Sequence, residues 1–192
     1  VCYRMWTKGE EGGLPPYPPA EIEAADLAGL VLELALWGVA DPAELPFLTP
    51  PNPGAYAEAQ ALLTGLGALD AQGRITAHGR RLAALPLHPR LGHMLAVAGP
   101  EAAELAALMA ERDPLRGAPA DLTLRLEAVR DPKRFAAGQG MQPDRGTVER
   151  IRAEAKRLRQ SASRAGQGPA WSEVPQTLTP AQMAALAYPD RL

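Results

Sequence analysis

Residues Leu66–Leu95, LGALDAQGRITAHGRRLAALPLHPRLGHML, restrict the fold of this 192-residue chain more than any other stretch, because each break in them has a physical job. Ala68-Leu69-Asp70 and Arg74-Ile75-Thr76 flank the turn Ala71-Gln72-Gly73, which reads as a short β-hairpin with Gly73 where a positive φ is wanted. Thr76 is placed to cap a helix over 77–85, and Pro86 ends it. Pro89 then occupies the first turn of a further helix over 90–97.

Two helices are expected before this stretch. One runs from about Pro19 to Trp37, with Ile22, Leu27, Leu30, Val31, Leu34 and Ala35 as its apolar stripe and Gly38 as its stop. The other runs from Pro53 to Gly65 or Leu66 and buries Tyr56, Ala59, Leu62 and Leu63. Between them, 41–53 holds five prolines and reads as irregular, with one short turn over 42–45. Helix, helix, short hairpin, helix is the outline of a winged-helix-like unit, although helical bundles also contain such pieces.

Beyond Gly99-Pro100 the pattern is helical throughout, over 101–112, 121–130, 144–161 and 178–186, the last with Thr179 as cap and Pro180 in its first turn. A glycine-containing gap is read at 136–143, a Gly/Pro/Glu-rich linker at 8–19 and a Ser/Gly/Pro-rich linker at 161–176. Val1–Trp6 reads as a strand without a partner, and both ends look cut from a longer protein. The fold class is therefore mainly α: a winged-helix-like unit with a short β-hairpin, followed by an α-helical bundle. Alanine and leucine dominate the apolar residues while aromatics make up 5%, so helix must pack closely on helix.

The formal net charge of −2 hides an asymmetry. Residues 1–100 carry 6 basic and 10 acidic side chains, and residues 101–192 carry 14 and 12, so a surface for a polyanion belongs to the second half. Within the helix from Asp144, Val148, Ile151, Ala155 and Leu158 make an apolar seam. Arg145, Arg152 and Arg159 recur every seven residues beside it with Lys156 adjacent, and Arg150 and Arg157 form a second row on the other flank. Guanidinium groups about 10 Å apart are suited to tracking phosphates. Periodicity alone favours the plainer alternative, a solvated face interleaved with Glu149 and Glu154.

No phosphate-binding loop, acidic metal box or nucleophile–histidine constellation is found, so the segment is expected to catalyse nothing and to hold no metal or cofactor. His88 and His93 stand five apart, unsuited to a metal pair on one helix face, and read as structural; His78 reads as a helix-surface residue. The lone Cys2 excludes an internal disulfide and fits a cytoplasmic protein. No apolar run approaches a membrane span, and no membrane partner is expected.

With these residues placed, the chain resembles the C-terminal part of bacterial DEAH-box ATP-dependent helicases of the HrpB type. Cys2-Tyr3-Arg4-Met5-Trp6 resembles the strand that, in that family, follows the arginine-rich motif closing the second RecA-like domain, and Ala20-Glu21-Ile22 the helix start that comes next, with alanine where proline is usual. The family's winged-helix signature is matched by Leu66-Gly67-Ala68-Leu69-Asp70, Gly73, Ile75-Thr76, Gly79-Arg80 and Leu85-Pro86-Leu87-His88-Pro89-Arg90-Leu91, with Ile75 in place of leucine. Asp121-Leu122-Thr123-Leu124 and the basic helix resemble the helicase-associated, or ratchet, helical domain, and 187–192 the start of the C-terminal region of this type.

The resemblance implies the end of a RecA-like domain and linker over 1–18, a winged-helix-like domain over 19–97, a ratchet-like domain over 98–162 and a linker with a truncated C-terminal region over 163–192. It further implies a non-catalytic accessory region that docks on RecA-like motor domains and lines a nucleic-acid channel, with ATP and Mg bound elsewhere in the parent enzyme. Arg145, Arg150, Arg152, Lys156, Arg157 and Arg159 then become candidate backbone contacts to single-stranded nucleic acid, RNA in particular. The alternative is a stand-alone winged-helix regulator or a protein-interaction scaffold. The acidic first half, with only His78, Arg80 and Arg81 on the would-be recognition helix, argues against independent duplex reading.

Overall fold

Short polar residues start most of the helices, because their side chains accept the first amide protons that no helical carbonyl can take. A computed structural model describes residues 3–14, 17–164 and 178–191. In chain order the helices are α1 (Lys8–Gly13), α2 (Glu21–Ala24), α3 (Ala28–Trp37), α4 (Pro53–Gly65), α5 (Ala77–Ala83), α6 (Pro89–Ala98), α7 (Ala103–Ala110), α8 (Leu122–Arg130), α9 (Pro132–Gln139), α10 (Arg145–Arg164) and α11 (Pro180–Ala187). Single 3₁₀ turns lie at Pro42–Glu44, Gly99–Ala102 and Pro189–Arg191. Asn52 caps α4, Thr76 caps α5, Asp121 caps α8, and Thr179 closes a reciprocal capping box with Gln182 on α11.

The same chemistry corrects three expectations. The supposed linker over 8–19 contains α1, because Thr7 and Glu10 form a capping box. The helix expected over 19–37 is two helices: the Asp26 carboxylate takes the Ala28 amide at 2.8 Å and starts α3 afresh. The first half of the gap read at 136–143 is the end of α9, which begins at an Asp131 cap with Pro132 in the first turn. Residues 3–6 are not in a strand, and the remaining Val1–Cys2 and residues 165–176 of the expected linker over 161–176 lie outside the described residues.

The β-hairpin is also absent; a single antiparallel bridge, Leu69 to Ile75, stands in its place. The Asp70 carboxylate accepts the Gln72 and Arg74 amides, both at 2.9 Å, while Gly73 N donates to Asp70 O. Arg74 N is thereby diverted from ladder pairing by a side chain. Helices on either side, ending at Gly65 and beginning at Ala77, confine any pairing to 66–76.

Two main apolar clusters result. The first gathers Leu27, Val31, Leu34, Tyr56, Leu63, Leu69 and Leu82 from α3, α4, α5 and the bridge. The second gathers Leu91, Met94, Leu95, Leu105, Leu126, Ile151, Leu158 and Met183 from α6, α7, α8, α10 and α11. α6 is the shared wall, since Ala96 packs toward the first cluster while Leu91, Met94 and Leu95 sit in the second. A small third cluster, Leu115, Ala128 and Phe135, seats α9. Alanines at 0–1% exposure along α7 let α10 approach closely, as the aromatic-poor composition requires.

Candidate nucleic-acid interface

The α10 seam is buried as its pattern predicts: Val148, Ile151, Ala155 and Leu158 pack inward, joined by Thr147. With that side covered by α7 and α8, Arg145, Arg152, Lys156 and Arg159 fall on one flank and Arg150 and Arg157 on the other. All six are exposed.

They are not equivalent. Arg152 Nε donates to the Val129 carbonyl at 2.7 Å and Nη2 to the Arg130 carbonyl at 2.8 Å. These are last-turn acceptors of α8 that have no helical donor, so Arg152 closes that helix and places a cation at its negative end. Arg150 Nε donates to Glu111 at 3.0 Å and Nη2 to Thr147 Oγ1 at 2.8 Å. The Arg112 amide, with Arg150 second, holds the Glu111 carboxyl below its usual range. Arg157 pairs with Glu154 at 2.5 Å, and Arg159 has an interaction of its own. Arg145 and Lys156 have no partner among the described residues.

Sequence reasoning missed a neighbouring basic edge because it missed α9. Lys133 and Arg134 are exposed there, and Arg134 lines a cleft of about 430 Å³ with Glu127, Arg130, Asp131, Phe135 and Gln139. The Asp131-Pro132 pair, a cap followed by a first-turn proline, was the available signal.

The signature stretch is built by hydrogen bonds that mostly stay within it. Gly67, at φ 70°, ends α4 in a left-handed turn in which Ala68 N donates to Leu63 O and Gly67 N to Thr64 O. Thr76 Oγ1 donates to Gly67 O at 2.7 Å and accepts the Gly79 amide at 3.0 Å, tying the end of α4 to the start of α5. Gly79 has no room for a side chain, since a Cβ there would lie 2.2 Å from Ala68 O. Gly73 closes the Asp70 turn, Arg80 is exposed, Pro86 follows the end of α5, and Pro89 opens α6 behind the His88 cap.

The histidines form two separate contacts. His78 Nε2 and His93 Nδ1 are 2.8 Å apart with the rings edge to face, so one ring donates and the other accepts. His78 is therefore a half-buried tie between α5 and α6 rather than a surface residue. Burial, and then the neighbouring His78, push His93 down to about 4. His88 Nδ1 accepts the Arg90 amide at 3.3 Å, which leaves Nε2 facing Asp26 at 3.2 Å. Burial opposes ionisation of Asp26, but the Ala28 amide and His88 hold its carboxyl low.

Residues 59–87 match the family model of the helicase-associated domain (HA2), winged-helix. Two crystal structures of Escherichia coli HrpB, described as a DExH-box NTPase and as a DEAH/RHA helicase, align with 96% of this chain at TM-scores of 0.65 and 0.68 and 26% and 27% identity. The chain is similar to the HA2 region of HrpB-type DEAH-box helicases. HrpB of E. coli K12 is 41% identical over 96 residues, 47% of this chain and 12% of that protein. The mouse probable ATP-dependent RNA helicase DHX34 is 38% identical over 95 residues, 50% of this chain and 8% of that protein. The chain thus spans about an eighth or less of these relatives and a fifth of the HrpB chains. The HA2 match covers α5 and the Gly67–Gly79 network, the same stretch that carries the sequence signature. Among the described residues no helix is long and apolar enough to cross a membrane, and no three metal-ligating side chains converge.

Proposed function

We propose that this HA2-type chain is a non-catalytic accessory region of an ATP-dependent helicase, which docks on RecA-like motor domains and lines a channel for single-stranded nucleic acid, RNA in particular. Likeness to HrpB over 96% of the chain carries the reading. ATP and Mg are assigned to the motor domains and no cofactor to this region. The division proposed from sequence, 19–97 for the winged-helix part and 98–162 for the ratchet-like part, is kept as part of the reading.

Within it, the strand contacts are Arg145 and Lys156, whose cations are exposed and without a partner among the described residues. Arg150, Arg157 and Arg159 would have to exchange intramolecular partners for phosphate, and Arg152 would have to release α8. Contacts to phosphate make binding tolerant of sequence and sensitive to salt.

The test is a low-salt titration of fluorescent single-stranded RNA with the full-length helicase. Arg145→Glu with Lys156→Glu weakens binding about tenfold and lowers the salt slope by about two. Unchanged affinity and slope overturn the assignment. Steady ATP turnover by the purified 192-residue chain would contradict the non-catalytic reading.

A further inference from the structure

We infer that Arg90 is a positioning residue that locks α3 and α4 to the helical bundle by holding the 178–191 segment across the junction between the two apolar clusters. The inference goes beyond the proposed function and is independent of any nucleic acid.

α11 lies along α6 and reaches α7 and α8, and it buries Met183 and Ala187 in the second cluster. The turn that follows it, Pro189–Arg191, crosses to the other side. There it faces Ala25–Leu27 and the Ala55, Glu58 and Leu62 face of α4 across a groove of about 770 Å³. One short segment therefore packs on the second cluster and faces the first across that groove.

Arg90 holds that segment at the crossing. Its guanidinium grips Asp190 with two hydrogen bonds, at 2.5 and 2.9 Å, and donates a third to the Ala187 carbonyl at 3.2 Å. Its Cζ lies 5.0 Å from the centre of the Tyr188 ring, over the ring face. Only 12% of the Arg90 side chain is exposed, which separates this pair from the solvated pairs of α10. The Ala187 carbonyl belongs to the last turn of α11, so one side chain closes a helix, pairs a carboxylate and stacks on a ring. Neighbouring His88 faces Asp26 at the start of α3. The His88-Pro89-Arg90 tripeptide thus sets His88 against Asp26 ahead of α3 and joins α6, over 100 residues of sequence, to Asp190.

A lock of this kind fixes orientation as well as stability. The test uses the 192-residue chain with Cys2→Ser and two dye-labelled cysteines, at Glu58 on α4 and Lys156 on α10. Distances are measured by single-molecule energy transfer at 25 °C, without nucleotide or RNA, alongside hydrogen exchange.

Arg90→Gln and Asp190→Asn are each expected to broaden the distance distribution and to raise exchange in 180–191 about tenfold, with protection in α10 retained. The double variant is expected to match the worse single variant, because the two groups act as one pair. Arg90→Lys, which keeps charge without the planar fork, is expected to fall between. An unchanged distribution in both single variants, or fully additive exchange effects, would overturn the inference. If Arg90→Gln does not fold, Asp190→Asn decides it, because that change is made at an exposed side chain.

Discussion

The signature stretch and α10 are both dense in recognisable residues, yet they use them differently. In Leu66–Gly79 most of the polar side chains that act do so on backbone within ten residues: Asp70 on Gln72 and Arg74, Thr76 on Gly67 and Gly79. In α10 long cations reach across the fold, Arg152 to carbonyls 22 and 23 residues away and Arg150 to a carboxylate 39 away. Reading a residue type therefore predicts its job in the first region and only its flank in the second.

Replacing glycine in each region gives the largest contrast. Gly79→Ala would drive a methyl into the Ala68 carbonyl, and is expected to cost about 3 kcal/mol or more as measured by urea unfolding. Gly146→Ala in the first turn of α10 meets only ordinary contacts and is expected to be neutral or to stabilise by up to about 1 kcal/mol. Equal losses at the two sites would erase the distinction.

Acid is expected to act mainly on the signature region. An unfolded His93 titrates near 6.5, whereas in the folded chain it is held at about 4 by burial and by His78, whose own affinity for a proton is lowered by burial and Arg81. The unfolded chain then binds the extra proton between these values. This contribution is constant above pH 6.5 and is lost as pH falls toward 4, by up to about 3 kcal/mol at His93. Unfolding free energies of the wild type and His93→Gln between pH 4 and 7 provide the check, and parallel curves would remove His93 as the cause.

Within α10 the contrast is smaller. Arg152→Ala is expected to cost about 1–2 kcal/mol, because it strips donors from the end of α8. The Arg145→Ala plus Lys156→Ala double variant is expected to stay within about 0.5 kcal/mol of wild type. Matching melting curves for the two would show that Arg152 is no more structural than its neighbours.

Much of the outline was legible: α4, α5, α6, α8, α10 and α11 were all foreseen, five of them to within two residues at either end, because proline and capping residues mark their ends. The errors arose where a cap was overlooked, at Thr7, Asp26 and Asp131, or where a cap-like carboxylate at Asp70 consumed an amide that a hairpin would have used. The candidate site was legible as a face of α10. Which cations on it remain uncommitted was not.

The sequence by itself determined the helix starts, the Asp70 turn and the buried seam of α10. Those depend on side chains meeting their own backbone within a few residues, or on the fixed 100° step of a helix. Only the tertiary structure decided that Arg90 would meet Asp190, that Arg152 would close α8 and that His78 would bond His93. Long or ring-bearing side chains find partners according to which helices pack together, and that is set by two apolar clusters assembled from residues far apart in the chain.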